Sequence, residues 1–85
     1  MTEAEASRLC EVLEARFAGR AESEAVNGHG RYRFALTSDR FAGIPQLQRQ
    51  DEVWQVVDAT LPREAIVDIS LILTFAPSEL VAAER

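Results

Sequence analysis

Nucleophilic, metal and disulfide chemistry all draw on histidine and cysteine, and this 85-residue chain has one of each, His29 and Cys10. A catalytic triad needs a nucleophile, a base and an orienting acid held out of water. His29 stands instead in the glycine-flanked stretch Asn27-Gly28-His29-Gly30, where nothing excludes solvent, so the sequence nominates no catalytic residue and the chain reads as a non-enzyme. Protein metal sites require three or four soft or imidazole donors at characteristic spacing. One Cys and one His separated by a helix and a strand exclude a self-contained metal site. Cys10 has no second cysteine to pair with, which points to a reducing, cytoplasmic setting. With no cation cluster beside it to stabilise a thiolate, it is expected to fill a small core position. Carboxylate pairs such as Asp51 with Glu52, and Glu22 with Glu24, fall on solvated faces that lack the apolar pocket needed to raise a carboxyl pKa. Gly28-His29-Gly30 is the first half of a dinucleotide fingerprint, yet it leads into a strand rather than into the helix N-terminus that holds a pyrophosphate.

The nine basic residues, every one an arginine, face fourteen acidic ones, for a net charge of -5. A molecule of that sign repels polyanions as a whole. Arg31, Arg33, Arg40 and Arg49 are the residues with which a local basic patch could line one side of a sheet and the loop after it; pairing of each with a neighbouring Glu or Asp is the simpler reading. No apolar run approaches the roughly 18 residues of a membrane span, and no basic start precedes a hydrophobic segment.

These residues must be positioned by one small core, because 85 residues leave no room for a second. Residues 1–85 are read as a single domain. Thr2 and Glu5 make a capping box, and Ala6, Leu9, Leu13 and Phe17 repeat at three- and four-residue steps until Gly19 offers a C-terminal stop; a helix is predicted over about 3–18. Ala21 to Val26 reads as a weak strand. Arg31 to Thr37 reads as a stronger one, with Tyr32, Phe34 and Leu36 on one face. Asn27-Gly28 between them is a hairpin signal, since both residues tolerate positive φ. Residues 38–46 form a structured loop into a helix over roughly 47–60, whose buried face is marked by Leu47, Val53, Trp54, Val57 and Leu61, with Pro62 closing it. Trp54 is expected to anchor the core. Ala65 to Phe75 alternates as a central strand: Val67, Ile69, Leu71, Leu73 and Phe75 face one way, and Asp68, Ser70 and Thr74, with Ile66 and Ile72, face the other, a half-polar side expected to be partly covered. Pro77 permits a last short helix. The expected architecture is α+β in the order αββαβα, a three-stranded mixed sheet with helices packed on one face, the crossover helix making its two strands parallel.

The stretch Tyr32-Arg33-Phe34-Ala35-Leu36-Thr37-Ser38-Asp39-Arg40-Phe41-Ala42-Gly43, followed by Leu47-Gln48-Arg49 and Val53-Trp54, resembles the core signature of the BolA-like family, a hydrophobic strand ending in a Ser-Asp-x-Phe-x-Gly turn before an Arg-containing helix. Val67-Asp68-Ile69-Ser70-Leu71 and Thr74-Phe75-Ala76-Pro77-Ser78-Glu79-Leu80 are similar to that family's last strand and its exit. The resemblance covers the chain from about Ala21 onward and implies a fold similar to class II KH domains. It also implies a non-enzymatic protein partner of monothiol glutaredoxins, sharing a bridging two-iron, two-sulfur cluster in iron–sulfur and redox homeostasis; some members are described as transcription regulators.

The family's strand ligand is a histidine, and the matching position here is Asp68, so the resemblance implies an altered or lost cluster ligand. His29, in the loop between the first two strands, is the candidate second donor. Carboxylate is a harder ligand than imidazole and uncommon for such clusters. The partner surface is expected around Ser38, Asp39, Arg40, Gly43 and Arg49, with the last strand and helix. A KH-like nucleic-acid binder using Arg31, Arg33, Arg40 and Arg49 is the alternative. Against it, the Arg-His-Arg run that often begins the family's second helix reads Arg49-Gln50-Asp51, and Gly43 is followed by Ile44-Pro45-Gln46 rather than a second glycine.

Overall fold

The computed structural model describes residues 1–28 and 30–83, with side chains of residues 81–83 excepted. Helix α1 (Glu3–Phe17) starts at the expected capping box: the Glu5 amide donates to the Thr2 hydroxyl, and the Thr2 amide donates to the Glu5 carboxylate. Its buried face is Ala6, Leu9 and Leu13. The stop is one residue earlier than expected. Ala18, with φ 50°, takes the left-handed position itself. Gly19 is needed for a different reason: a Cβ there would lie 2.2 Å from the Thr37 carbonyl oxygen, so only glycine lets the chain pass so close to the sheet.

Strands β1 (Arg20–Val26) and β2 (Arg31–Thr37) form an antiparallel hairpin, with Val26 opposite Arg31 and Arg20 opposite Thr37. Asn27 and Gly28 both hold positive φ, 61° and 66°, which is the backbone requirement the Asn-Gly pair was expected to meet. A 3-10 turn, Asp39–Phe41, then leads to α2 (Gln46–Thr60). A four-residue helix, α3 (Arg63–Ile66), occupies the start of the stretch expected to be strand, so β3 runs only from Ile69 to Phe75. Pro62 explains the difference: it ends α2 and opens α3 as its N-cap, a position where a missing N–H costs nothing. Helix α4 (Pro77–Ala83) follows.

The sheet order is β1-β2-β3, with β2 and β3 parallel. The central strand is therefore β2, and β3 is an edge. Phe34 and Leu36 of β2 and Ile72 of β3 are buried with Leu9, Leu13, Val53 and Val57 of the helices on one face of the sheet. The burial pattern agrees with one expectation and corrects another, that for the buried face of α2. In β3 the half-polar side, expected to be partly covered, is the one that faces the helices. Register decides it: Ile72 pairs with Phe34 and Thr74 with Leu36, so they share the core face, and Leu71 and Leu73 are left on the open face, 41% and 46% exposed. In α2, Leu47 is 77% exposed, whereas Arg49 joins the buried face with only 3% exposure. Trp54 packs partly buried against the core and donates its indole N–H to Gln50. Cys10 likewise lies half-buried against the core, and burial pushes its thiol up, the hydrogen bond with Ser23 opposing the shift.

Candidate functional site

Asp68 lies immediately before β3, and its carbonyl accepts the Tyr32 amide at 2.9 Å. This bond joins the start of β3 to the β2 end of the hairpin loop. The amino group of Met1 donates both to the Asp68 carboxylate and, at 3.1 Å, to the Gly30 carbonyl. Asp68 and the residue after His29 thus share one donor. His29 itself lies outside the described residues. Asp68 retains 30% side-chain exposure, and the group that engages it is an ammonium. Among the described residues no set of three or more His, Cys, Asp or Glu is placed to hold a metal ion.

The turn after β2 is fastened to the end of α1. Ser38 is buried; its hydroxyl donates to the Phe17 carbonyl and accepts the Arg40 amide at 3.1 Å. Arg40, exposed, donates from Nη1 to the Arg16 carbonyl at 2.8 Å, placing a cation at the negative end of α1. Phe41 is buried with its ring 5.4 Å from that of Phe17. Gly43 turns the chain at φ 76°, and the Ile44 amide returns to the Phe41 carbonyl. Of the expected partner surface, Asp39, Arg40 and Gly43 are exposed, and Ser38 is internal.

Arg49 is not a surface residue. Its guanidinium donates to the Ile44 carbonyl at 2.7 Å, to the Thr74 carbonyl at 3.2 Å and, through both terminal nitrogens, to the two oxygens of Glu79 at 2.9 and 2.8 Å. Such a bidentate pair is the strong form of an ion pair. Glu79 also accepts the Ala76 amide at the start of α4. The Arg49 hydrogen bonds, followed by that amide, hold its carboxyl down to about 2, and the same pairing pushes Arg49 up. Arg49 also lies 5.5 Å from the Phe41 ring centre. It links α2, β3 and α4, and each of its three nitrogens donates to an acceptor within the protein.

Arg49 does not act alone. Gln46 and Gln50 donate to the Thr74 and Ile72 carbonyls at 3.0 and 2.9 Å, and Thr74 donates its hydroxyl to Gln46 at 2.6 Å. These side chains occupy carbonyls along the edge of β3, where an exposed edge would otherwise invite another strand. Sequence reasoning missed Gln46, Gln50, Thr74 and Glu79. One signal was available: polar residues 46, 49 and 50 share one face of α2 by their three- and four-residue spacing.

The remaining arginines are separated. Arg33 pairs across the hairpin with Glu24, through Nε at 3.0 Å and Nη2 at 2.8 Å. Arg31 lies at the opposite end of β2 from the turn that carries Arg40, about 20 Å of strand away at 3.3 Å per residue. With Arg49 internal, the four do not line one surface.

The open face of the sheet is the larger unoccupied feature. Leu71 is registered with Arg33 and Leu73 with Ala35, giving an apolar strip that starts three residues beyond Asp68 and is bounded by the Arg33–Glu24 and Arg20–Glu22 pairs. The hollow lined by Leu73, Ala35, Arg33 and Glu22 measures about 550 Å³. Leu80 of α4 adjoins the far end, beside Arg20 and Thr37. Such a face can dock a protein surface. No helix among the described residues is long and apolar enough to cross a membrane.

A scan against protein-family models finds no match, and neither does a search of the curated proteins. Among solved structures, the chain is similar to BolA1 from Arabidopsis thaliana, with a TM-score of 0.67 at 20% identity over 92% of this chain and 98% of that one. It is also similar to a Bol-like protein from Babesia bovis, with a TM-score of 0.57 at 21% identity over 93% of this chain and 92% of that one. Both likenesses cover more than nine-tenths of this chain, and its element order agrees with the motif resemblance that begins at Ala21. The chain has the α+β fold of the BolA proteins.

Proposed function

We propose that this chain is a non-enzymatic, BolA-like protein-binding domain that docks its partner on the open face of the sheet. The partner class is a monothiol glutaredoxin of iron–sulfur and redox homeostasis, and cluster-ligand function is altered or lost at Asp68. The observation that carries the docking role is the strip of Leu71 and Leu73, two large apolar side chains adjacent on one strand and left open by the helices. Contiguous exposed apolar surface of this kind marks interaction sites. The glutaredoxin assignment rests on the motif resemblance together with the shared fold.

The described donors do not fit an iron–sulfur cluster. Such clusters take thiolate and, in some cases, imidazole ligands, whereas the Asp68 oxygen is a hard donor. Cys10 lies half-buried against the core, where burial pushes its thiol up. A partner that binds here does so through surface contact.

The test is to mix the chain with a cluster-loaded monothiol glutaredoxin and follow both co-elution and visible absorption. The expected result is a complex with an unaltered cluster spectrum, and Asp68→His is expected to make the spectrum change on binding. Failure to form any complex refutes the partner assignment. A spectral change with the natural Asp68 refutes the loss of the ligand.

A further inference from the structure

A second cleft, of about 450 Å³, stands apart from the sheet face where the end of α1, the 3-10 turn and α2 meet. Its size falls within the roughly 300–1,000 Å³ of small-ligand sites. Phe17, Phe41 and Ile44 provide apolar lining, and Arg16, Arg40 and Glu52 carry the charge. Two cations and one anion reverse the balance of a molecule whose net charge is -5. Among the described residues, the arginine ion pairs are made by Arg20, Arg33 and Arg49. Arg16 and Arg40 have no carboxylate partner there. Arg40 is also held in place, its side chain by the Arg16 carbonyl and its backbone by Ser38, so less side-chain freedom is lost when a ligand arrives.

We propose that this cleft binds a short acidic peptide segment whose carboxylate lies next to an apolar side chain. The carboxylate meets Arg16 and Arg40, and the apolar side chain covers Phe17 and Ile44. A bare anion gains nothing from the apolar lining, and a polyphosphate is repelled by Glu52. A nucleic acid brings a run of phosphates, which a molecule of net charge -5 repels.

The experiment is an amide NMR titration of the full chain with acetyl-Leu-Glu-Leu-amide, alongside acetyl-Leu-Gln-Leu-amide, inorganic phosphate and a short single-stranded oligonucleotide. Saturable shifts confined to the ends of α1 and the 3-10 turn and the facing side of α2 are expected. The Gln peptide should bind roughly two- to fivefold more weakly, the upper scale of an exposed carboxylate–guanidinium contact. Arg16→Gln combined with Arg40→Gln should bring the two peptides to equal affinity. Glu52→Gln should tighten the Glu peptide, a gain that loss of fold cannot produce. Equal affinity of the two peptides for the natural protein, saturation by phosphate or the oligonucleotide at lower concentration, shifts elsewhere, or weaker binding after Glu52→Gln would each overturn the proposal.

Discussion

Replacing Leu71 and Leu73 together by threonine tests whether the open sheet face is the docking surface. Covering an exposed leucine completely contributes about 1.5–3 kcal/mol. With Leu71 41% and Leu73 46% exposed, covering what remains open on both adds about 1.3–2.6 kcal/mol to docking on that scale. That corresponds to roughly ten- to eightyfold in Kd. Threonine keeps strand propensity and one methyl group at each position, so the low end applies, a Kd about tenfold weaker. The assay is calorimetric titration with the glutaredoxin, with far-ultraviolet circular dichroism showing that the double variant is folded. Leu47→Gln is the location control, because Leu47 is 77% exposed but on α2. A folded double variant that binds within twofold of the natural protein refutes the reasoning. So does a loss of binding confined to Leu47→Gln, which would move the surface to the α2 side of β3.

Four further outcomes follow from the fold. Glu79 has its carboxyl held down to about 2 by Arg49, so the pair contributes stability that is fully present above the ordinary carboxylate pKa and is lost as pH falls toward 2. A melting-temperature series should therefore fall less steeply between about pH 4.5 and pH 2 in Glu79→Gln than in the natural protein; parallel curves would refute the assignment. Gly19→Ala places a Cβ against the Thr37 carbonyl, and urea unfolding should show a loss of about 1–3 kcal/mol, the cost of overpacking. Gly28→Ala has open space around its Cβ but a φ of 66°, so its cost should come from backbone strain alone and be about 1 kcal/mol. Cys10, with its thiol pushed up by burial, should react with a thiol-specific disulfide reagent at neutral pH more slowly than in the urea-unfolded chain; equal rates would show that the side chain is open.

Local signals determined much of this molecule. The Thr2–Glu5 box and the apolar stripe locate α1 to within a residue, because a capped amphipathic helix is specified by its own side chains. Asn27-Gly28 fixes the hairpin turn through positive φ, and alternation gives β2 its bounds. The crossover length makes β2 and β3 parallel. From these follows a three-stranded sheet with one helical layer, and the motif order from Tyr32 to Leu80 added the resemblance that the shared fold supports.

What depended on residues far apart in the chain was decided only by tertiary structure. Arg49 reads as a surface cation in its own helix. It is internal because Glu79 and the Thr74 carbonyl, 30 and 25 residues away, satisfy it, and a buried charge is tolerated only when paired and hydrogen-bonded. Alternation shows that β3 has two faces but not which one the helices cover; pairing of Ile72 with Phe34 selects the half-polar side and leaves Leu71 and Leu73 open. Asp68 carries a carboxylate whatever its surroundings. Its ammonium partner is set by where α1 begins relative to the start of β3, a relation that exists only once the chain has closed around its core.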